Sequence, residues 1–273
     1  MKRVVLGVLI TLSTVFLVFA QGQDDSAALQ DLADRLNDSA QQADQADFFN
    51  LCAKGTSDQI IQALKNGADI NERNEVGNTP LMQAATFNQN PEVISVLLNA
   101  GAEVNARSND GKTPLLFAAL SQPPEIINQL LKAGADAKNR DNVGDTPLMV
   151  AAKYNANPEV ITTLLNAGAV VNVKNADGET PLMIAAGYNE NPGVFTTLLN
   201  AGSVVNVKNA DGETPLMYAA MNGKSPEVIS MLLKAGADGT TKDGAGKTAF
   251  DYAQENGKLK GTKAYWALND AQY

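Results

Sequence analysis

Residues 175–189 read NADGETPLMIAAGYN, and this stretch is one copy of a unit that the chain repeats. Its centre, Gly-x-Thr-Pro-Leu, recurs with Thr at 79, 113, 146, 180 and 214. A weaker copy, Gly246-Lys247-Thr248-Ala249-Phe250, closes the series. The spacings are 34, 33, 34, 34 and 34 residues. Self-similarity at a fixed period of this length predicts a stack of like units, each burying its apolar face against its neighbours.

Every full unit has the same parts. A turn comes first, as in Asn74–Gly77, Ser108–Gly111, Asp141–Gly144, Asn175–Gly178 and Asn209–Gly212. Asn, Asp and Ser side chains bond to nearby backbone there, and Gly supplies positive φ. Thr-Pro then opens a helix, because the hydroxyl accepts from a free N–H and Pro needs no donor in the first turn. Leu81, Ala84 and Ala85 mark its inward stripe, and the Ala pair recurs at 118–119, 151–152, 185–186 and 219–220. A second helix opens at Asn90-Pro-Glu, Asn157-Pro-Glu and Ser225-Pro-Glu, with Pro123-Pro-Glu and Asn191-Pro-Gly as variants. Asn or Ser caps it, and Glu suits the positive end of the dipole. Val93, Ile94, Leu97 and Leu98 have helical spacing, and Gly101, Gly134, Gly168, Gly202 and Gly236 stand where a left-handed stop is wanted. Helices of about ten residues do not persist alone, so stacking must stabilise them.

The pattern D-x-x-G-x-T-P-L, then Ala-Ala, then L-L-x-x-G-A-D-V-N resembles the ankyrin repeat. The resemblance runs from about Asp47 to Gly261. It implies an all-α solenoid of stacked antiparallel helix pairs with projecting hairpin loops: five full repeats between atypical capping repeats. Asp47–Asn74 is the first cap, a unit without its front hairpin, and Asp243–Gly257 is a degraded last copy. Two departures stand out. The column after Thr-Pro-Leu, His in the family, is Met82, Leu116, Met149, Met183 and Met217, so apolar packing replaces a hydrogen bond. Four spacings are 34 rather than the family's usual 33, and the added residue falls between the helices. Residues 170–183 and 204–217 are identical (VVNVKNADGETPLM), as recent duplication would leave them.

The front end differs in character. Lys2 and Arg3 precede an apolar run, Val4–Phe19, and Val18-Phe19-Ala20 leads into polar Gln21. That is the layout of a secretory signal over residues 1–20, and its form suits a bacterial exported protein. A run of this length falls short of the roughly 20 residues that span a bilayer. The expected location is therefore periplasmic or secreted, with an uncleaved anchor at 4–19 as the alternative. Residues 21–46 form an acidic Gln/Ala/Asp-rich leader in which Leu29, Leu32 and Leu36 have helical spacing. Residues 262–273 are expected as a tail or cap, with Tyr252, Tyr265 and Trp266 as an aromatic lid.

Composition narrows the chemistry. Loss of residues 1–20 removes two of the 21 Lys+Arg and none of the 30 Asp+Glu, leaving a net charge of −11. Such a chain repels phosphate backbones, and nucleic-acid binding is not expected. With no His, imidazole acid–base chemistry, His-activated nucleophiles and His-containing zinc sites are excluded. Cys52 is the only cysteine and lies in an apolar patch, which reads as a core thiol. The Met column places one thioether per unit, roughly 10 Å from the next, too far to share a copper ion. The turn at Asp243–Lys247 lacks the later Glu of a calcium loop. No cofactor, metal or catalytic residue is expected.

The resemblance instead implies a protein partner lying along a concave face made by hairpin tips and first helices. Carried over position by position, the tips are Glu75, Val76, Asn109, Lys112, Asn142, Val143, Asp145, Ala176, Glu179, Ala210 and Glu213. Two residues past each Ala pair stand Phe87, Ser121, Tyr154, Tyr188 and Asn222, so Tyr154 and Tyr188 should be neighbours. Those rings either meet a partner or pack against the inter-helix loop, each being followed by Asn. The chain is thus expected to be a monomeric, non-enzymatic protein-interaction scaffold exported from the cytoplasm. The alternative is an envelope-tethering protein held by its N-terminal segment. An enzyme would break the register with an inserted site, and no insertion interrupts residues 75–244.

Overall fold

The computed structural model describes residues 30–31, 34–35, 48–222 and 225–273. They fall into two compact units, one ending at Phe48 and the other spanning Phe49–Tyr273. The signal segment and most of the leader lie outside the described residues. Of the leader, Gln30, Asp31, Asp34 and Arg35 are helical, with Gln30 bonded to Asp34 and Arg35 paired with Asp31.

The second unit is helical throughout its described elements, with helical residues 49–54 at its start. Thereafter come α1 (Ser57–Lys65), α2 (Pro80–Phe87), α3 (Pro91–Asn99), α4 (Pro114–Ala119) and α5 (Pro124–Lys132). They continue as α6 (Pro147–Tyr154), α7 (Pro158–Asn166), α8 (Pro181–Tyr188) and α9 (Pro192–Asn200). The series closes with α10 (Pro215–Asn222), α11 (Pro226–Lys234), α12 (Ala249–Glu255) and α13 (Lys263–Asp270). From α2 to α12 the even-numbered helices pack on one another and form the inner layer. The odd-numbered ones form the outer layer, and each inner helix also packs on the outer helix that follows it.

The local signals act as their chemistry requires. Each Thr caps an inner helix, its hydroxyl accepting from the N–H three residues on, as in Thr180 from Met183 at 3.4 Å. Asn90, Asn157 and Asn191 cap outer helices by accepting from residues 92, 159 and 193. Ser225 does not follow the expectation: it precedes α11 without a side-chain cap bond. Gly178 has φ of 77°, and a Cβ there would lie 3.0 Å from the Ala210 nitrogen, so the turn needs glycine for conformation and for close stacking.

Packing explains the two repeated apolar columns. The Ala pairs are buried, and so are Met82, Leu116, Met149, Met183 and Met217. Small residues bring adjacent inner helices close, and the flexible thioether fills the remaining gap. Cys52 is fully buried, and burial pushes its thiol up to about 12.

Three ladders of polar bonds run between repeats. In the first, buried Asn88, Asn155 and Asn189 donate to two carbonyls of the preceding repeat; Asn189 reaches Ala152 at 3.0 Å and Asn155 at 3.1 Å. Each also accepts from the N–H two residues on. The repeat with the 33-residue spacing lacks this Asn: Gln122 stands in the column, residue 124 is Pro and offers no N–H, and Gln122 Oε1 is buried without a partner. In the second ladder Arg73, Arg107, Arg140, Lys174 and Lys208 each donate to the carbonyl of the next cation in the column. The third links successive tips through backbone bonds, such as Ala176 N–H to Val143 O at 3.1 Å.

The C-terminal cap departs from the expected lid. Residues 263–270 are a full helix, α13, which pairs with α12 and packs on α11 as the outer helix of the last repeat. Phe250, Leu259 and Leu268 are buried there, whereas Trp266 is 56% exposed. Tyr265 lies between Phe250 and Trp266, tilted against the first and edge-on to the second, at 5.0 and 5.2 Å between ring centroids. Trp266 therefore lies outside the seal, because helix periodicity turns position 266 away from the face that carries Ala264 and Leu268.

Candidate protein-binding face

The inner face is built from four positions of each repeat. Leu, Met and the Ala pair of an inner helix point into the stack. That leaves the residue just before the capping Thr and the residues four, seven and eight beyond it. In the middle of the stack these are Asp145, Val150, Lys153 and Tyr154, and one repeat on, Glu179, Ile184, Gly187 and Tyr188.

The aromatic side is open. Tyr154 is 57% exposed and Tyr188 37%. Lys153 Nζ lies 5.1 Å from the Tyr154 centroid and 4.6 Å from that of Tyr188, so a single ammonium links two repeats over their ring faces. Burial alone would depress that ammonium, but Tyr154, Tyr188 and Asp145 outweigh it and hold the group above its usual value. An open groove of about 470 Å³ lies between the rings, flanked by Ala156, Glu190 and Asn191. Of the two readings left open, exposure favours rings that face outward. The Asn after each ring is the buried group, and it serves the ladder.

The opposite side is acidic and ordered. Asn175 Nδ2 donates to Asp145 Oδ1 and to Glu179 Oε2, each at 2.9 Å. Tyr218 Oη donates to Glu179 Oε1 at 2.6 Å, and Asn209 Nδ2 donates to Tyr218 Oη at 3.2 Å and to Glu213 Oε2 at 2.8 Å. Burial raises the Asp145 carboxyl; Asn175 lowers it, and the charges of Asp141 and Glu179 raise it further, so it stays above its usual value. Burial and the Glu179 bond likewise push the Tyr218 phenol up.

The other expected residues are dispersed. Phe87 is 58% exposed, but Ser121 occupies the equivalent place in the next repeat, so Phe87 stands apart from the tyrosine pair. Val76 and Val143 are exposed at their tips, with their carbonyls taken by the next tip. Glu75 is exposed and Lys112 half-buried. Asn142 is exposed, yet its amide donates to Asn109 O at 3.0 Å, so it joins tips together. Lys153, Asn175, Asn209 and Tyr218 were not among the expected residues. Reading the columns four and seven beyond each Thr would have exposed Tyr218 and Lys153.

The family described as ankyrin repeats matches in three copies, over residues 49–141, 118–209 and 186–264. The chain belongs to the ankyrin repeat family. The structure is similar to the crystal structure of the human ASB11 ankyrin repeat domain, with a TM-score of 0.73 and 26% identity over 83% of this chain and 97% of that one. No curated protein matches the chain. Ankyrin repeats generally mediate protein–protein interaction, and ankyrin repeat proteins are typically non-enzymatic scaffolds.

Proposed function

We propose that this ankyrin repeat protein is an exported, monomeric scaffold that binds a protein partner along its inner face, with Lys153, Tyr154 and Tyr188 as the anchor. The observation that carries the reading is the exposed tyrosine pair joined through one ammonium beside an open groove. Solvated aromatic rings held in fixed positions supply contact area at little entropic cost, as binding hot spots do. Export rests on the basic and apolar layout of residues 1–20 and on its small-residue end.

The test is photo-crosslinking in the native cell from a probe replacing Tyr188, with a second probe at the exposed outer-helix residue Thr162. One partner captured from 188 and not from 162 is the expected result; equal capture or none at both sinks the inner-face reading. Sequencing of the mature N-terminus checks export. A chain beginning at Gln21 is expected, and an intact Met1 would favour the tethered alternative.

A further inference from the structure

We propose that the inner face receives a basic, polyproline-II-like segment of its partner, whose Lys or Arg side chains recur every third residue and meet Asp145, Glu179 and Glu213. The proposal rests on the inner-face reading above and names the chemistry of the segment.

Charge comes first. The three carboxylates occupy the same register in consecutive repeats, each just before its capping Thr. Neutral donors hold them: the Asn175 amide, the Tyr218 phenol and the Asn209 amide. Such donors hold the oxygens in place without cancelling charge. The ion pairs Arg35–Asp31 and Lys247–Glu255 lie elsewhere and involve none of these three acids. Lys153 is a single cation near Asp145 on this face, and its ammonium lies over two tyrosine rings. The face therefore keeps excess negative charge in preset positions, which a cationic partner complements without reorganising it.

Spacing selects the conformation. Successive inner helices repeat roughly every 10 Å. A polyproline-II chain has three residues per turn and rises about 3.1 Å per residue, so like-facing side chains recur at roughly 9 Å. A β-strand cannot match this, because residues three apart point to opposite faces. The other two sides of such a segment then face half-buried Val150 on the floor and Tyr154 and Tyr188 on the far wall. Exposed tyrosines at the repeat spacing suit this conformation, which aromatic-lined grooves recognise elsewhere.

Fluorescence anisotropy on the full chain tests the proposal with labelled peptides of four Lys-Pro-Leu triplets. Controls are a peptide of the same composition with its lysines in one block and a peptide of four Glu-Pro-Leu triplets. The expected result is at least roughly tenfold tighter binding of the Lys triplet peptide than of either control. The combined variant Asp145→Asn, Glu179→Gln, Glu213→Gln, checked for folding by circular dichroism, should weaken that binding at least about tenfold. Equal binding of the block peptide, survival of binding in the amide variant, or no binding at about 1 mM overturns the proposal. Failure of the underlying reading looks different. If the Tyr188 probe still captures one partner but through a non-basic segment, the scaffold stands and the basic segment falls. If capture at 188 and 162 is equal, both fall.

Discussion

Tyr218 reaches back across 39 residues of sequence, and its hydroxyl donates a 2.6 Å hydrogen bond to Glu179 Oε1 in the preceding repeat. This contact ties the acidic side of the inner face to the next helix. Tyr218 is 7% exposed and Glu179 half-buried, so the bond is partly shielded from water and goes to a carboxylate acceptor. Tyr218→Phe should therefore cost about 2 kcal/mol, the usual worth of a hydrogen bond to a charged group. Thermal unfolding of Tyr218→Phe, Glu179→Gln and the double variant measures it. Additive losses would mean that the two groups are not coupled.

Asn155 is spent three times. Its amide donates to Ala119 and Gln122 carbonyls, and its oxygen accepts from Asn157 N–H. Asn155→Ala leaves buried backbone groups without partners and should cost about 3 kcal/mol in urea unfolding. The contrasting change is Gln122→Ala. Its amide oxygen is already unpartnered, so its loss should be smaller than that of Asn155→Ala. An equal or larger loss at 122 would show that the ladder is not the source of the stability.

Asp145 carries a carboxyl whose folded pKa is raised, chiefly by burial. The folded state then holds its proton to higher pH than the unfolded chain, whose carboxyl titrates near pH ~3.9. Stability from this group is complete below that value and is lost as pH rises through the folded value. Asp145→Asn keeps an acceptor for Asn175 and removes the charge. It should raise the melting temperature at pH 7, and the gain should vanish below about pH 4. A gain that persists in acid would assign the effect to packing instead.

Cys52 is fully buried, and its thiol is pushed up to about 12. A thiol that is neither ionised nor accessible does not attack disulfides. Native protein at pH 8 should react with Ellman's reagent only as fast as it unfolds, and urea should release one thiol per chain. Rapid reaction of the native protein would place Cys52 at the surface.

Much of this was legible beforehand, because repeats make local signals redundant. Five Thr-Pro openings, five buried Ala pairs and five terminal glycines point to one unit, and each acts within a few residues of itself. The neighbouring of Tyr154 and Tyr188 followed from register, since equal positions in stacked units lie side by side. Register could not show what fills the space between them. Lys153 belongs to the repeat of Tyr154, yet its ammonium lies nearer the Tyr188 ring, at 4.6 Å against 5.1 Å.

The sequence by itself determined the repeating unit, its caps, its turns and its buried columns, because these depend on backbone conformation and on periodic burial. Only the tertiary structure decided which polar groups meet across repeats. Asn142 looked like a free tip and joins two tips; Asn175 looked like a turn residue and bridges two carboxylates. Trp266 looked like a lid and faces solvent. The pairings between repeats, Asn142 with Asn109 and Asn175 with Asp145, span thirty residues or more of chain and depend on side-chain reach, and a linear pattern does not encode them one residue at a time.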